Sequence, residues 1–498
     1  MERHRGDVVL CCSELKRGVR VKGLVVVANR LPVEIAADGT LSPSPGGLAS
    51  ALSSVIEDGT QWVGWGGPQS GKRAPFDYGE LRIDPVSLSG EEIATYYDGF
   101  ANAVLWPLFH GRLRRVELNR EWWRSYRAVN ERFANAVTNA AALGSTVWVH
   151  DYHLLLTPAM IRARRPDLRI GLFLHIPFPN AQLFSMLPWR RELIEGMLGA
   201  DIIGFQVSDD ADNFAAAAER LVDARSLATS EGRGRRLSDG RHSVVVDVFP
   251  ISVDFEQWDR LGHQAGPAAR RHRDELGVDT IFLGIDRLDY TKGISQRLQA
   301  FGELLDEAGI DAASATFVQV AVPSRSDVAA YQDERSEVEE IVDAINARHR
   351  RADGSLPVLY LAESLDEVAM TAWYRAADAL VVTSLADGMN LVAKEFVCAR
   401  SDLGGVLILS EFTGAAQDLD GALIVNPYDI EAIKQALLAA TQVPLTARAA
   451  RMRTMRQGVQ QHDVHHWART FLDRLSALQR GAPASAARSE ARAKERRP

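Results

Sequence analysis

Three observations predict an α/β fold with two doubly wound parallel sheets. Short apolar runs alternate with longer segments of helical periodicity, the runs are apolar throughout rather than at every second position, and there are too many for one sheet. They are GLVVVAN (23–29), TVWVHD (146–151), IGLFLH (170–175), DIIGFQ (201–206), SVVVDVFP (243–250), IFLGID (281–286), TFVQVAVP (316–323), VLYLA (358–362), ALVVTS (379–384), GGVLILS (404–410) and ALIVN (422–426). Continuous apolarity marks strands covered on both faces, as in a parallel sheet between helices. The first sheet is expected to end near Asp254.

Composition narrows the function. The 498 residues, 46% hydrophobic and 24% charged, suffice for two cores. A formal charge of −8 argues against a nucleic-acid coat, so any anionic ligand must be small and gripped by a local group of cations. Cys11, Cys12 and Cys398 show no metal-ligand spacing, and an odd count without a framework fits a reducing compartment. The run VVLCC (8–12) is too short for a secretory core or a membrane span, so a cytoplasmic protein is expected, with no membrane partner. Residues 1–22 form an extension, and the Ala- and Arg-rich tail 481–498 is expected to be disordered.

Open parallel sheets bind ligands beyond the carboxyl ends of their strands, so those ends carry the argument. After the first run come Arg30 and, further on, Gly46 and Gly47 before a helix; such a pair lets backbone N–H groups approach a phosphate, although many pairs are simply turns. The next ends give HDYHL, with His150, Asp151 and His153, and LHIPFP, with His175. A lone histidine at either strand end reads as a hydrogen-bonded structural residue; two polar ends on neighbouring strands can also meet on one cleft floor. The segment DRLDYTKGI (286–294) places Arg287 and Lys292 at a strand-to-helix turn, where cations suit a bound phosphate. In ADALVVTSLADGMNLVAKEF, Gly388 and Asn390 allow a tight turn, and a helix starting near Leu391 points unpaired N–H groups at a diphosphate. Glu395 on its second turn can accept from ribose hydroxyls; the alternative is a capped helix with one exposed acid. No G-x-G-x-x-G follows the first strand, which removes the usual dinucleotide-dependent dehydrogenase.

Taken together, ANRLPV (28–33), GGL (46–48), YYDGFANAVLWPLFH (96–110), HDYHL (150–154), FLHIPFP (173–179), LPWRRELIEGMLGADIIGFQ (187–206), DRLDYTKGI (286–294), VPSR (322–325) and DGMNLVAKEF (387–396) resemble the trehalose-6-phosphate synthase family. The resemblance runs in order over roughly residues 23 to 430. It implies a GT-B glycosyltransferase with two Rossmann-like domains facing across a cleft: 23–254 for the acceptor and 255–480 for the donor, with the last helix packing back on the first domain. It implies transfer of glucose, with retention and without metal or other cofactor, from UDP-glucose or GDP-glucose to glucose 6-phosphate, giving α,α-trehalose 6-phosphate. A homo-oligomer, dimer or tetramer, is the family expectation.

The same resemblance assigns roles. Arg287 and Lys292 would hold the donor diphosphate, with Gly47 approaching it. Asp387 and the backbone of Gly388, Met389 and Asn390 would hold donor hydroxyls, Leu391 and Val392 would offer N–H groups to phosphate, and Glu395 would take the ribose. His175 would lie near the anomeric carbon and Asp151 on the acceptor, whose phosphate pocket would be Arg30, Tyr97, Trp106 and Arg325. One departure is Ala386, where many relatives carry Arg. Glu363, Asp366 and Glu367, in the region that aligns with base binding, suit guanine or simply an acidic helix start. Two other readings stay open: a relative using glycerol 3-phosphate or a cyclitol phosphate, and a sugar-phosphate sensor without turnover.

Overall fold

The computed structural model describes residues 23–36, 38–44, 52, 59–68, 70–113, 116–227, 234–240, 242–324 and 329–478. The expected extension 1–22 and tail 481–498 lie outside these residues, as do Gly46, Gly47 and Arg325.

Each apolar run forms a strand. Leu24–Arg30 shows why: its valines are stiff at χ1, pack well on a pleated surface, and are buried from Leu24 to Asn29. The first sheet has ten strands, in the order Arg225–Leu227, Arg235–Ser238, Ser243–Val248, Ile202–Phe205, Arg169–Phe173, Thr146–His150, Leu24–Arg30, Gln61–Trp65, Leu81–Pro85 and Phe76–Tyr78. Pairing is parallel from Ser243–Val248 through Leu81–Pro85 and antiparallel only at the two margins. The second sheet has six parallel strands, in the order Val358–Leu361, Ala315–Val322, Thr280–Arg287, Ala379–Val382, Val406–Ser410 and Leu423–Val425.

Both sheets start in the middle, wind one way, then jump back and wind the other. The direction reverses between Leu24–Arg30 and Thr146–His150 in the first sheet, and between Thr280–Arg287 and Ala379–Val382 in the second. Helices leave a crevice at such a point, because connections on its two sides depart to opposite faces. Several strands have no counterpart among the apolar runs. Gln61–Trp65 (QWVGW) is almost wholly buried beside the first strand, but its Gln and Gly break the apolar run. Arg225–Leu227 and Phe76–Tyr78 are three-residue margins with exposed or half-exposed side chains, which need no apolar pattern.

One apolar core includes residues of both sheets: Trp62, Trp148 and Phe173 of the first join Leu283, Leu380 and Leu407 of the second, with Trp467 and Phe471 of the final helix Val464–Ala477. That helix follows the second sheet in sequence yet packs on the first. The Phe471 ring stacks on Trp148 at 4.9 Å between centroids. It fills the space above two glycines: a Cβ on Gly171 would lie 2.7 Å from the ring, and one on Gly204 2.9 Å. The crossing near residue 254 is tied down as well. Asp254 caps the helix Phe255–Gln264 by accepting from Gln257 N (2.9 Å), Val464 N donates to Val253 O (3.1 Å), and buried Lys394 donates to Ile251 O (2.9 Å) and Asp418 Oδ2 (2.7 Å). Among the described residues no helix is long and apolar enough to cross a membrane.

Phe471→Ala is expected to lower stability by about 3–5 kcal/mol, because the two glycines leave nothing to collapse into the void. Urea unfolding of the full chain measures this; an unchanged midpoint would contradict the role given to the last helix.

Candidate active site

The reversal point of the second sheet supplies one side of the site. Past Arg287 the chain turns through residues 288–293, and Asp289 stabilises the turn by accepting from Thr291 N (3.0 Å), Thr291 Oγ1 (2.9 Å) and Tyr331 OH (3.2 Å). The next strand holds it from the side: Leu385 N donates to Thr291 O (2.7 Å) and Thr383 Oγ1 to Gly293 O (2.7 Å). Beneath it, fully buried Arg297 bonds Asp286 Oδ2 at 2.6 Å and Gln319 Oε1 at 2.8 Å. Two cations are thereby presented differently. Lys292 Nζ lies 2.5 Å from Asp387 Oδ2, whereas Arg287 is exposed, forms no ion pair among the described residues, and rests over the Trp106 ring at 5.4 Å.

The loop at 384–390 completes this side. Burial pushes the Asp387 carboxyl up, but Lys292 and Asn390 Nδ2 (3.1 Å) outweigh it and hold the group below the ordinary carboxylate range. Asn390, at φ +74°, caps the helix Leu391–Ala399 by accepting from Ala393 N (3.1 Å), which leaves the Leu391 and Val392 N–H groups in the helix's open first turn. Buried Met389 anchors the loop, its carbonyl accepting from Ala415 N at 2.9 Å. Gly388 touches the other sheet: a Cβ there would sit 2.0 Å from the carbonyl oxygen of His175, so the position admits no side chain. Glu395 Oε2 accepts from Tyr374 OH at 2.8 Å, and burial pushes its pKa up to about 7.

The reversal point of the first sheet supplies the opposing side. Asp151 sits at φ +71°, ψ 172°, a conformation costly for a residue with a side chain, and its Oδ1 accepts from His175 N at 3.2 Å. Arg30 pairs with Glu34 and lies over the Trp65 ring at 4.7 Å. From there a chain of rings crosses the site: Trp65 meets Tyr97 edge-on (5.5 Å), Tyr97 stacks on His153 (5.8 Å), His153 meets Tyr152 (3.9 Å), Tyr152 meets Trp106 (5.6 Å), and Trp106 carries Arg287. Tyr97 lies on a π-wound helix, Ile93–Leu105, whose wide turns end with Trp106 N donating to Ala101 O.

Arg30, Tyr97, Trp106, Asp151, His175, Arg287, Lys292 and residues 387–392 are thus gathered at the two reversal points, and Glu395 lies one helical turn behind. Gly47 and Arg325 fall outside the described residues. Sequence reasoning gave no role to Trp65 or His110. His110 is buried beside Trp106, its Nδ1 2.7 Å from Trp106 O; burial pushes its pKa down to about 4 against the pull of Asp289 and Asp387. Its only signal was its place at the end of WPLFH. Of the three acids that the resemblance aligns with base binding, Asp366 caps the helix Glu367–Ala376 and Glu367 accepts from Gln257 Nε2 (2.5 Å), while Glu363 is exposed. Among the described residues no group of three or more His, Cys, Asp or Glu is placed to hold a metal ion.

Two Rossmann-like sheets whose reversal points face each other, cations and an open helix start on one side and rings with a cation on the other, define a GT-B glycosyltransferase. The chain belongs to Glycosyltransferase family 20, whose model matches residues 22–477. It is 46% identical over 464 residues to the trehalose-6-phosphate synthase of Mycolicibacterium smegmatis, covering 91% of this chain and 92% of that one. It is similar to the crystal structure of an α,α-trehalose-phosphate synthase (UDP-forming) from Burkholderia xenovorans in complex with glucose-6-phosphate: TM-score 0.85, 34% identity, 91% of this chain and 100% of the other covered. A trehalose-6-phosphate synthase studied with bisubstrate glycomimetics for glycosyl transfer with retention matches with TM-score 0.83 and 33% identity, covering 92% of this chain and 99% of that one.

The Glu395 carboxyl has a testable consequence for stability. Its folded pKa of about 7 stands above the ordinary 4.5, so the folded state binds the proton more tightly than the unfolded state does. That contribution is fully present below pH 4.5 and is lost as pH rises toward 7. Glu395→Gln, which keeps an acceptor for Tyr374 OH, should lose less stability than the parent between about pH 5 and about pH 8. Parallel urea titrations at the two pH values read this; identical losses would contradict the assigned pKa.

Proposed function

We propose that this chain transfers glucose from a nucleoside diphosphate glucose to glucose 6-phosphate, forming α,α-trehalose 6-phosphate with retention at the anomeric carbon. One observation supports this above the rest: cations suited to a diphosphate and a ring-lined cation suited to a sugar phosphate stand at two facing strand reversals, with His175 and Asp151 between them. Arg287 and Lys292 take the diphosphate, joined by the first-turn N–H groups of Leu391 and Val392. Asp387, with the backbone of 388–390, accepts from donor hydroxyls, and Glu395 from ribose. Arg30 moves from Glu34 to the acceptor phosphate, with Tyr97 and Trp106 walling it from water. Gly47 and Arg325 belong to the same proposal, as does the division into an acceptor half, 23–254, and a donor half, 255–480.

In the step itself the bond from the anomeric carbon to the diphosphate oxygen breaks as the acceptor's anomeric hydroxyl attacks from the same face. The hydroxyl proton passes to the departing phosphate oxygen, and nucleoside diphosphate leaves. Arg287 and Lys292 stabilise charge as it develops on the leaving group, so the reading needs neither a protein nucleophile nor a metal ion. UDP-glucose is the first donor to try, since the Burkholderia xenovorans relative is described as UDP-forming. Exposed Glu363, just past the strand Val358–Leu361, supports testing GDP-glucose beside it, because a carboxylate pairs with the N1–H and 2-amino group of guanine. A cytoplasmic location belongs to the same reading.

The test is nucleoside diphosphate release from UDP-, GDP- and ADP-glucose, with and without glucose 6-phosphate, with the product identified by NMR. Release that requires glucose 6-phosphate and gives an α,α-linked product is expected. Release only with glycerol 3-phosphate or a cyclitol phosphate would transfer the assignment to those acceptors, and none at all would leave a sugar-phosphate sensor. Arg287→Ala should lower kcat by roughly 10²–10³-fold with an unchanged melting temperature, since its exposed side chain makes no ion pair among the described residues. Near-normal turnover would remove it from the leaving-group site.

A further inference from the structure

The floor of the site holds two histidine rings in direct contact. His150 Nδ1 lies 3.1 Å from His175 Nε2, and the rings stack at 5.4 Å between centroids. His150 is fully buried, with Trp148 at 4.6 Å and Trp467 of the last helix at 6.4 Å. His175 is only half-buried, and its Nδ1 has no hydrogen-bond partner among the described residues. Burial favours the neutral form of both rings: it pushes His175 down to about 3, and together with His175 it pushes His150 well below its ordinary value.

Two neutral imidazoles in contact share one proton, and there are two ways to place it. If His175 donated from Nε2, His150 would carry its own proton on Nε2. That atom is buried and has no hydrogen-bond partner among the described residues. The neighbouring indoles of Trp148 and Trp467 offer no acceptor, since each carries only an N–H, and both of those N–H groups are themselves buried without a partner. A buried N–H without an acceptor is the rarer and costlier defect; a bare ring lone pair among N–H groups is tolerated better. The second placement avoids the defect.

We infer that His150 is a positioning residue: its Nδ1–H donates to His175 Nε2, which fixes the proton of His175 on Nδ1 and presents that ring to the bound sugar as a hydrogen-bond donor. The donor role rests on the synthase reading above; the tautomer does not. His175 is therefore no general base in this site, and its Nδ1–H is offered to a sugar oxygen. The backbone reinforces the placement, because His175 N is held by Asp151 Oδ1 and His175 O abuts Gly388. The imidazole is thus located by both sheets and by the last helix.

The test combines a spectrum with two substitutions. In ¹⁵N-histidine NMR of the ligand-free full chain, assigned by comparison with His175→Gln, His175 should show a protonated Nδ1 and a bare Nε2. His150→Asn keeps an amide N–H near the Nδ1 position and should hold kcat within about threefold of the parent, whereas His150→Phe keeps the ring without the donor and should lose at least about tenfold in kcat with little change in KM for glucose 6-phosphate. A His175 ring protonated on Nε2 in the parent, or equal losses of kcat in the Asn and Phe variants, would overturn the proposal. The spectrum needs no substrate, so a parent chain that makes no trehalose 6-phosphate overturns the synthase reading while the spectrum still decides the tautomer.

Discussion

The Lys292–Asp387 ion pair joins the two loops at the second sheet's reversal point, and the rest of that side of the site is arranged around it. Both side chains are largely withdrawn from water, so removing either partner alone would strand a charge and cost about 3–5 kcal/mol. The pair lasts because its surroundings leave it no alternative: Asp289 and Tyr331 set the turn that carries Lys292, and Asn390 and the Met389 carbonyl set the loop that carries Asp387. The same pair keeps a cation beside the open start of the helix Leu391–Ala399. Under the proposed function, an arriving diphosphate would meet an ammonium already in place, with little side-chain entropy left to lose.

A second constraint is the contact between sheets. Gly388 against the His175 carbonyl leaves no room for a methyl group, so the 384–390 loop and the first-sheet loop cannot be varied independently. The ring chain from Trp65 to Trp106 spans the first-sheet side of the site, carrying Arg30 at one end and Arg287 at the other. Rings are suited to this because they are stiff, with two χ angles each, and exclude water over a large area. The last helix, by packing Trp467 and Phe471 on the first sheet, closes the circuit that the single chain crossing near Asp254 begins.

Much of this was legible in the sequence because parallel strands buried on both faces write themselves as unbroken apolar runs, and because polar residues at their ends are where such sheets bind ligands. The helix start at Leu391 was readable from Gly388 and Asn390, and the structure makes Asn390 the cap. Gln61–Trp65 was not readable as a strand: it is short, and its Gln and Gly interrupt the run although burial is nearly complete. The partners of Arg30 and the surroundings of His110 were hidden for another reason. Trp65 and Arg30 are neighbours only because the first strand pairs with Gln61–Trp65, and His110 meets the charges around Lys292 only when the sheets face each other. Contacts made between elements carry no local pattern.

The central claim is that both ligands meet where the two strand reversals face each other. A crystal structure with nucleoside diphosphate and glucose 6-phosphate bound together tests it most directly. The account predicts diphosphate oxygens within hydrogen-bond distance of Arg287 and Lys292, and the acceptor phosphate on Arg30 beside Tyr97, with His175 and Asp151 between. Either ligand seated away from these reversals, for instance on the outer face of one sheet, would contradict it.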